Sequence, residues 1–191
     1  MIINEKALLR LMKACQKSGG YRVAVTKGLP EWIYIHGTNW YIGIQKDKLP
    51  RKVKALLVEH MDDVPDAGVA CKILKDTVQD EFYDLVTEPI FSMNADGRNN
   101  WTDPKMHLRP TPLTWRETKV WQRGDGKILL MNPDLMDLAI RFYTYPTAAG
   151  NAVFFDGGIE QVYIVPEMPL AGDEEFIKTI GATMWVPGKE Q

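Results

Sequence analysis

Hydrophobic side chains recur with the period of an α-helix near the start of the chain. Apolar residues fall at positions i, i+3, i+4 and i+7 from Leu8 to Cys15, and this spacing places them on one helical face. Asn4 precedes the pattern and is a favourable N-cap residue. The pair Gly19-Gly20 follows it and suits the end of a helix. The pattern therefore predicts a helix over residues 4–17.

Short runs rich in β-branched and aromatic residues come next, and such runs are typical of strands. The predicted strands are 21–26, 32–35 and 40–44. The sequence His36-Gly37-Thr38-Asn39 between the last two is a good hairpin signal. Because three strands follow one another with short connections, we expect an antiparallel meander.

Helical periodicity returns twice in the middle of the chain. Pro50 suits the first turn of a helix, and apolar positions from Val53 to His60 predict a helix to about residue 61. A second pattern predicts a helix over residues 69–86, with Cys71 inside it. Between residues 89 and 116 there is no period, and four prolines fall there. A stretch of this kind is usually a linker or a functional loop.

The last third contains more hairpin signals, because Gly-Asp turns separate short apolar runs. The predicted strands are 118–122, 127–130, 153–155, 161–165 and 184–186. Predicted helices begin at Pro133, running to about residue 142, and at Asp173, running to about residue 180.

Strands occur in hairpin pairs rather than alternating singly with helices, so we expect an α+β fold with antiparallel β-hairpins and helices packed on one face. The stretches 32–61 and 118–142 suggest two related ββα units. We expect a basic helix-βββ-helix subdomain over 1–61, an acidic helix with a Pro-rich connection over 62–116, and an acidic ββαββα subdomain over 117–191. One continuous domain is the alternative.

Composition excludes several classes of protein. The chain has 191 residues, of which 45% are apolar, and this length suffices for a hydrophobic core. Two cysteines, Cys15 and Cys71, do not make a disulfide scaffold. No uncharged run reaches the roughly 18 apolar residues of a transmembrane helix. The first residues lack the order of a signal peptide. We therefore expect a cytoplasmic protein without a membrane partner.

The net charge of −2 hides an uneven distribution. Residues 1–61 hold 11 Lys/Arg and 4 Asp/Glu, a net charge of +7. Residues 62–116 hold 6 and 10, and residues 117–191 hold 6 and 11, which gives −4 and −5. A split of this kind indicates either an anionic partner for the first third or attraction between the two parts.

Basic residues form two candidate binding groups. The first is a ridge on the first predicted helix, opposite its apolar face. The second surrounds the start of the second predicted helix, where cations oppose the helix dipole and free N–H groups can hold an anion. The candidate residues are Lys6, Arg10, Lys13, Lys17, Lys46, Lys48, Arg51, Lys52 and Lys54.

These groups favour a non-catalytic protein-interaction module that binds an acidic protein surface or associates with itself. A nucleic-acid-binding protein is one alternative, since aromatic residues between Trp32 and Tyr41 are of the type that stacks on bases. An enzyme with a loop-assembled site around His60 or His107 is another. The stretch from Ser92 to Asp103 has the outline of a calcium loop but lacks its acidic first ligand and closing Glu. We predict no catalytic residue, metal or cofactor.

Overall fold

Two antiparallel sheets and the helices packed on them form the molecule. The computed structural model describes residues 2–80, 104–140, 147–149 and 152–183. One sheet has eight strands and the other has three. The expected α+β class is confirmed.

The helices are α1 (Glu5–Lys17), α2 (Arg51–Met61), α3 (Pro133–Met136) and α4 (Asp173–Thr183). The strands are β1 (Tyr21–Val25), β2 (Trp32–His36), β3 (Trp40–Gln45), β4 (Ala70–Leu74), β5 (Thr77–Asp80), β6 (Leu108–Trp115), β7 (Thr118–Arg123), β8 (Ile128–Met131), β9 (Thr147–Ala149), β10 (Ala152–Asp156) and β11 (Glu160–Ile164). Short 3₁₀ turns cover Lys46–Lys48 and Pro104–Met106.

The larger sheet has the strand order β5-β4-β1-β2-β3-β11-β10-β9. Its centre is the predicted meander, in which Ile35 pairs with both Val23 and Ile42. Strand β3 also pairs with β11, where Ile42 lies opposite Val162. Strands from the predicted stretches 1–61 and 117–191 are therefore neighbours in one sheet, while the boundaries of those stretches stay a prediction.

The main hydrophobic core lies on one face of the eight-stranded sheet. Leu8 of α1, Leu57 of α2, Ile42 of β3 and Met131 of β8 all belong to one buried cluster. Each such side chain contributes about 1.5–3 kcal/mol when it is buried away from water.

As predicted, Asn4 caps α1, since its Oδ1 accepts the N–H of Lys6 at 3.2 Å. This core fixes which sides of α1 and α2 face solvent.

The predicted helix over residues 69–86 is wrong. Residues 70–80 form the hairpin β4–β5, and residues 81–86 lie outside the described residues. Strand β4 completes the hydrogen bonds along one edge of β1, with Cys71 opposite Val23. Cys71 and Ile73 enter the core by the alternation of a strand. Cys71 is therefore a strand residue, because tertiary pairing overrides the weak helical period of this segment.

Part of the prediction for residues 89–116 is also wrong, because β6 runs from Leu108 to Trp115 and contains Pro110 and Pro112. Strand β6 is at the edge of the three-stranded sheet, which is where a strand tolerates proline. The rest of that stretch up to residue 103, including the calcium-like outline, lies outside the described residues.

The predicted helix 133–142 is shortened to the single turn of α3. After this turn the chain pairs with the N-terminal segment, since the N–H of Asn4 donates to the Leu138 carbonyl at 2.8 Å and Ile3 bridges to Ala139. These pairings follow a turn at Asp137 and Leu138 and place Ala139 in a β-bridge. The second ββα unit is therefore not confirmed, and the predicted strand 184–186 lies outside the described residues.

A smaller core joins α4 to the outer side of the three-stranded sheet. Val120 and Leu130 are buried there beneath Trp115 and Phe176, whose ring centroids are 3.9 Å apart in a stacked arrangement. Asp173 begins α4 as predicted, and its carboxylate accepts the indole N–H of Trp115 at 2.8 Å. The C-terminal helix is thus attached by both stacking and a hydrogen bond.

Candidate functional site

The solvent side of α1 carries the predicted basic ridge. Leu8 and Met12 are fully buried on the opposite side of the helix. This packing directs the lysines of the helix outward, and Lys6, Lys13 and Lys17 are all exposed. The amphipathic pattern of the sequence is sufficient to predict this placement.

The second basic group lies beside the first. Helix α2 buries Val53 and Leu57 and exposes Arg51, Lys52 and Lys54 in and near its first turn. The two helices pack on the same face of the large sheet. Their N-termini are close together, because Glu5 of α1 contacts Lys52 of α2. We call Lys6, Lys13, Lys17, Arg51, Lys52 and Lys54 the basic surface.

A carboxylate of the chain itself touches the start of α2. The backbone N–H of Lys52 donates to Oε1 of Glu5 at 3.1 Å. An anion is favourable at this position because the first N–H groups of a helix have no intrahelical partner. The anion that the charge pattern of α2 predicts is therefore supplied in part by α1.

Arg10 does not belong to the basic surface, although it lies on the same ridge. Its guanidinium is 3.2 Å from a carboxylate oxygen of Asp134 and 3.4 Å from one of Asp137. Both carboxylates come from the acidic last third of the chain. Attraction between the basic and acidic parts thus occurs within the molecule at this residue.

Two further candidates are neutralised by near neighbours. Lys46 pairs with Glu31 at 3.0 Å, and Lys48 pairs with Asp47 at 2.8 Å. Both partners lie in the same basic third of the chain. By contrast, none of the six cations of the basic surface forms an ion pair with another described residue. Their charge is left for solvent or for a partner.

The aromatic residues of the β2–β3 hairpin do not adjoin the basic surface. Trp40 is in the main core, whereas Trp32, Tyr34 and Tyr41 belong to a cluster on the opposite face of the large sheet. The thickness of the sheet therefore separates these rings from the lysines of α1 and α2. A ligand confined to the basic surface therefore does not contact these rings.

The composition of this aromatic cluster could be predicted only in part. Alternation along β2 assigns Ile33 and Ile35 to the core and Trp32 and Tyr34 to the other face. The cluster also includes residues of β10 and β11, among them Tyr163, 5.5 Å from Tyr41 between ring centroids. That proximity depends on the pairing of β3 with β11, which no local pattern reveals.

Burial sets the titration of the tyrosines in this cluster. It raises the pKa of Tyr34, and it raises the pKa of Tyr163 together with the neighbouring Tyr41. A tyrosine hydroxyl is already protonated at neutral pH, so these upward shifts leave Tyr34 and Tyr163 uncharged there.

The His, Cys, Asp and Glu side chains that could bind a metal ion are dispersed in the part of the chain that the structure describes. No group of three or more His, Cys, Asp or Glu side chains there could hold a metal ion. Nε2 of His60 is buried and has no hydrogen-bond partner among the described atoms. Burial raises the pKa of Cys15, which keeps this thiol protonated and a poor nucleophile.

Comparisons of the chain with family models, with curated proteins and with solved structures find no match. Among the described residues, no helix is long and apolar enough to cross a membrane. The basic surface on α1 and α2 is the feature on which the proposed function rests.

Proposed function

We propose that this chain is a non-catalytic binding module whose basic surface docks against an acidic protein surface. One observation carries the proposal. Six exposed cations lie on two adjoining helices, and none of them has an ion-pair partner among the described residues. Local rules oppose this arrangement, because cations near the first turn of α2 destabilise the helix. Departures from local rules are typical of functional surfaces.

The position of the aromatic rings favours a protein partner over a nucleic acid. Recognition of single-stranded nucleic acid combines cations with stacked rings in one groove. Here Trp32 and Tyr41 are on the other face of the sheet from Lys13 and Lys54. A partner that offers carboxylates over an area the size of two helices fits the basic surface without rings.

The expected binding is weak and sensitive to salt. An exposed ion pair contributes roughly 0.2–1 kcal/mol, so six such pairs contribute about 1–6 kcal/mol and support a dissociation constant no tighter than about 40 μM. The Debye length is about 10 Å at 0.1 M salt, and exposed pairs are screened beyond it.

Cys15 and Cys71 are not joined in a disulfide. Because disulfides are rare in the reducing cytosol, we propose a cytoplasmic location.

Poly-L-glutamate is a suitable probe for the basic surface. We expect the full chain to bind it at about 50 mM salt and to lose most of this binding at about 500 mM. The triple variant Lys13→Glu, Arg51→Glu and Lys54→Glu should lose binding at both salt concentrations. Carboxylates near the first turn of α2 favour the helix, so the substitutions at Arg51 and Lys54 test binding without weakening α2.

A matched control has the same change in net charge elsewhere. Lys119, Lys127 and Lys178 are exposed and lie outside the basic surface, so the variant Lys119→Glu, Lys127→Glu and Lys178→Glu should keep most of the binding. Equal losses in both triple variants would refute a localised surface. Tighter binding of an oligonucleotide than of poly-L-glutamate at equal salt would favour a nucleic acid. Salt-sensitive dimers in sedimentation would favour a second copy of the chain.

A further inference from the structure

Two sulfur atoms from different elements meet at the carboxyl end of α2. Met61 is the last residue of this helix, and Cys71 lies near the start of β4. The thiol of Cys71 donates a hydrogen bond to Sδ of Met61, and the two sulfur atoms are 3.2 Å apart. No sequence motif signals this contact, because it forms only when β4 joins the sheet on which α2 packs. We call Cys71 and Met61 the sulfur pair.

The sulfur pair lies at the edge of the main core. Cys71 is 3% exposed and is a member of that core, whereas Met61 is half-buried and packs against it from outside. A methionine side chain is unbranched and has three rotatable bonds. Met61 can therefore move outward to admit a small ligand next to Cys71, while the buried cysteine stays in place.

A buried tyrosine hydroxyl accompanies the sulfur pair. Tyr21 of β1 is 1% exposed, and its hydroxyl oxygen has no hydrogen-bond partner among the described atoms. The register of β1 and β4 makes Tyr21 and Cys71 diagonal neighbours on the core face of the sheet. Burial raises the pKa of Tyr21, and the proximity of Cys71 and Glu59 adds to this effect. The hydroxyl is therefore a protonated donor beside Cys71.

This hydroxyl is the second observation that points to a ligand. Buried polar groups without a partner are rare in native proteins, and an ion that binds nearby is one of the causes. The thiol of Cys71 does not meet the need of Tyr21 for an acceptor, since a thiol is only a weak acceptor. A thiolate at Cys71 is a charged acceptor, and the thiolate is the form of cysteine that binds a metal ion.

The two sulfur atoms determine which metal ion fits. Thiolate and thioether sulfur are soft ligands that select Cu(I), whereas Mg²⁺ and Ca²⁺ prefer oxygen. A structural Zn²⁺ site needs four ligands, and the described residues contain no cluster of three His, Cys, Asp or Glu side chains that could supply them. The carboxyl end of α2 also favours a cation at Met61.

We propose that Cys71 and Met61 bind one Cu(I) ion between their sulfur atoms, at a site separate from the basic surface. Binding replaces the thiol proton of Cys71 with the ion and releases this proton to solvent. The thiolate then accepts the hydroxyl of Tyr21. A metal–sulfur bond is about 2.3 Å long, so two sulfur atoms on one ion are at most about 4.6 Å apart. Met61 therefore needs to move outward by no more than about 1.4 Å.

Anaerobic titration of the full chain with Cu(I), in competition with the chelator bicinchoninate, tests this inference. We expect the chain to take up one Cu(I) ion. Cys71→Ser and Met61→Leu should each weaken the binding at least about tenfold, because each removes one of the two soft ligands. Cys15→Ser and Met136→Leu are the matched controls, since both residues are half-buried against the same core, and they should leave the binding unchanged.

Tyr21→Phe distinguishes a role in the site from a role in packing. It removes a hydroxyl that has no partner among the described atoms, so the metal-free variant should be at least as stable as the natural chain in denaturant unfolding. Its affinity for Cu(I) should fall about tenfold, because the thiolate loses a hydrogen bond. Unchanged affinity for Cu(I) in this variant would contradict the role of Tyr21.

Failure of the full chain to take Cu(I) from bicinchoninate would overturn the inference. Binding that survives Met61→Leu would do so as well, and so would equal losses in Cys15→Ser and Cys71→Ser, because either result places the ion elsewhere. Circular dichroism of the metal-free variants checks their fold, and exchange of methionine for leucine is well tolerated in cores. Binding of poly-L-glutamate is a separate measurement, so failure here is distinguishable from failure of the basic surface.

Discussion

At the scale of single residues, two buried carboxylates hold distant parts of the chain together. Glu160 is 2% exposed, and Oε2 of its carboxylate accepts the N–H groups of Ile2 at 2.5 Å and Ile3 at 3.1 Å. Buried backbone N–H groups are destabilising without a partner. Glu160 therefore fixes the N-terminal segment to the start of β11.

Glu160→Ala should lower the free energy of unfolding by about 3 kcal/mol, because it leaves two buried N–H groups without an acceptor. Glu160→Gln should lower it less, since the amide keeps one acceptor oxygen. Denaturant unfolding of the two variants measures both effects. The exposed Glu174 provides the reference substitution, and a Glu160→Ala effect as small as that of Glu174→Ala would contradict this role.

Asp173 is the second of these carboxylates, with 2% of its side chain exposed. The hydrogen bond from Trp115 lowers the pKa of Asp173, helped by the N–H of Leu170 and by Arg116 at 3.2 Å. A lowered pKa means that the native state binds its proton less tightly than the unfolded state does. The stabilisation from Asp173 is therefore complete above the unfolded pKa and is lost as the pH falls through the folded one.

The free energy of unfolding should accordingly fall between neutral pH and strongly acidic pH, in part through Asp173. Asp173→Asn removes this titration, so its stability should be lower at neutral pH and should change less across the acid range. Unfolding curves at a series of pH values compare the two proteins. Parallel pH profiles for wild type and Asp173→Asn would show that the carboxylate does not contribute.

At the scale of elements, α2 is unusual because its charges oppose its dipole at both ends. Arg51, Lys52 and Lys54 lie at or near its first turn, and Asp62 lies directly after its last residue in the left-handed conformation. Such placements destabilise a helix by a few tenths of a kcal/mol to about 1 kcal/mol each. Packing of Val53 and Leu57 in the core stabilises α2 in spite of its charges.

Glu5→Gln should have opposite effects on stability and on binding. It removes the negative charge at the start of α2 and lowers the free energy of unfolding by roughly 0.5–1 kcal/mol. It also removes the carboxylate that contacts the basic surface, so affinity for poly-L-glutamate should increase. Chemical denaturation and titration at low salt measure the two quantities. A decrease in both would contradict the role of Glu5 as a carboxylate beside the basic surface.

The hairpin β4–β5 shows why element type is not decided locally. Its sequence contains apolar residues at both helical and alternating spacings, and strand β4 forms because β1 has an edge available for pairing. The strand β6 shows the converse, since Pro110 and Pro112 give no strand signal at all. In both segments, the hydrogen bonds to a neighbouring strand determine the outcome.

At the scale of the whole molecule, the near-neutral total charge is only partly a result of internal pairing. Arg10 with Asp134 and Asp137 links the basic first third to the acidic last third. None of the six cations of the basic surface forms such a pair with a described residue of the last third. The basic surface therefore retains most of the positive charge of its segment.

Arg10→Ala should change the free energy of unfolding by less than about 1 kcal/mol, because all three charged side chains are more than half exposed and exposed ion pairs contribute little. It should also leave the binding of poly-L-glutamate nearly unchanged, since Arg10 is already paired. Thermal unfolding and the same titration check these results. A large loss of stability would show that this contact holds the two parts together.

The sequence by itself determined the amphipathic helix α1, the meander β1–β3, four strands of later hairpins and the start of α4. These elements depend on periodicity, turns and capping, which act over a few residues. For the same reason the sequence identified all six residues of the basic surface, because a core-facing stripe dictates what the other side of a helix exposes.

Only the tertiary structure decided the pairing of β3 with β11, the hairpin at residues 70–80, the single turn of α3 and the separation of the aromatic cluster from the basic surface. It also decided that Arg10, Lys46 and Lys48 are neutralised. Each of these depends on groups far apart in the chain. Local propensities of residues other than proline are worth about 1 kcal/mol per residue or less, and the burial and hydrogen bonding of a completed sheet outweigh them.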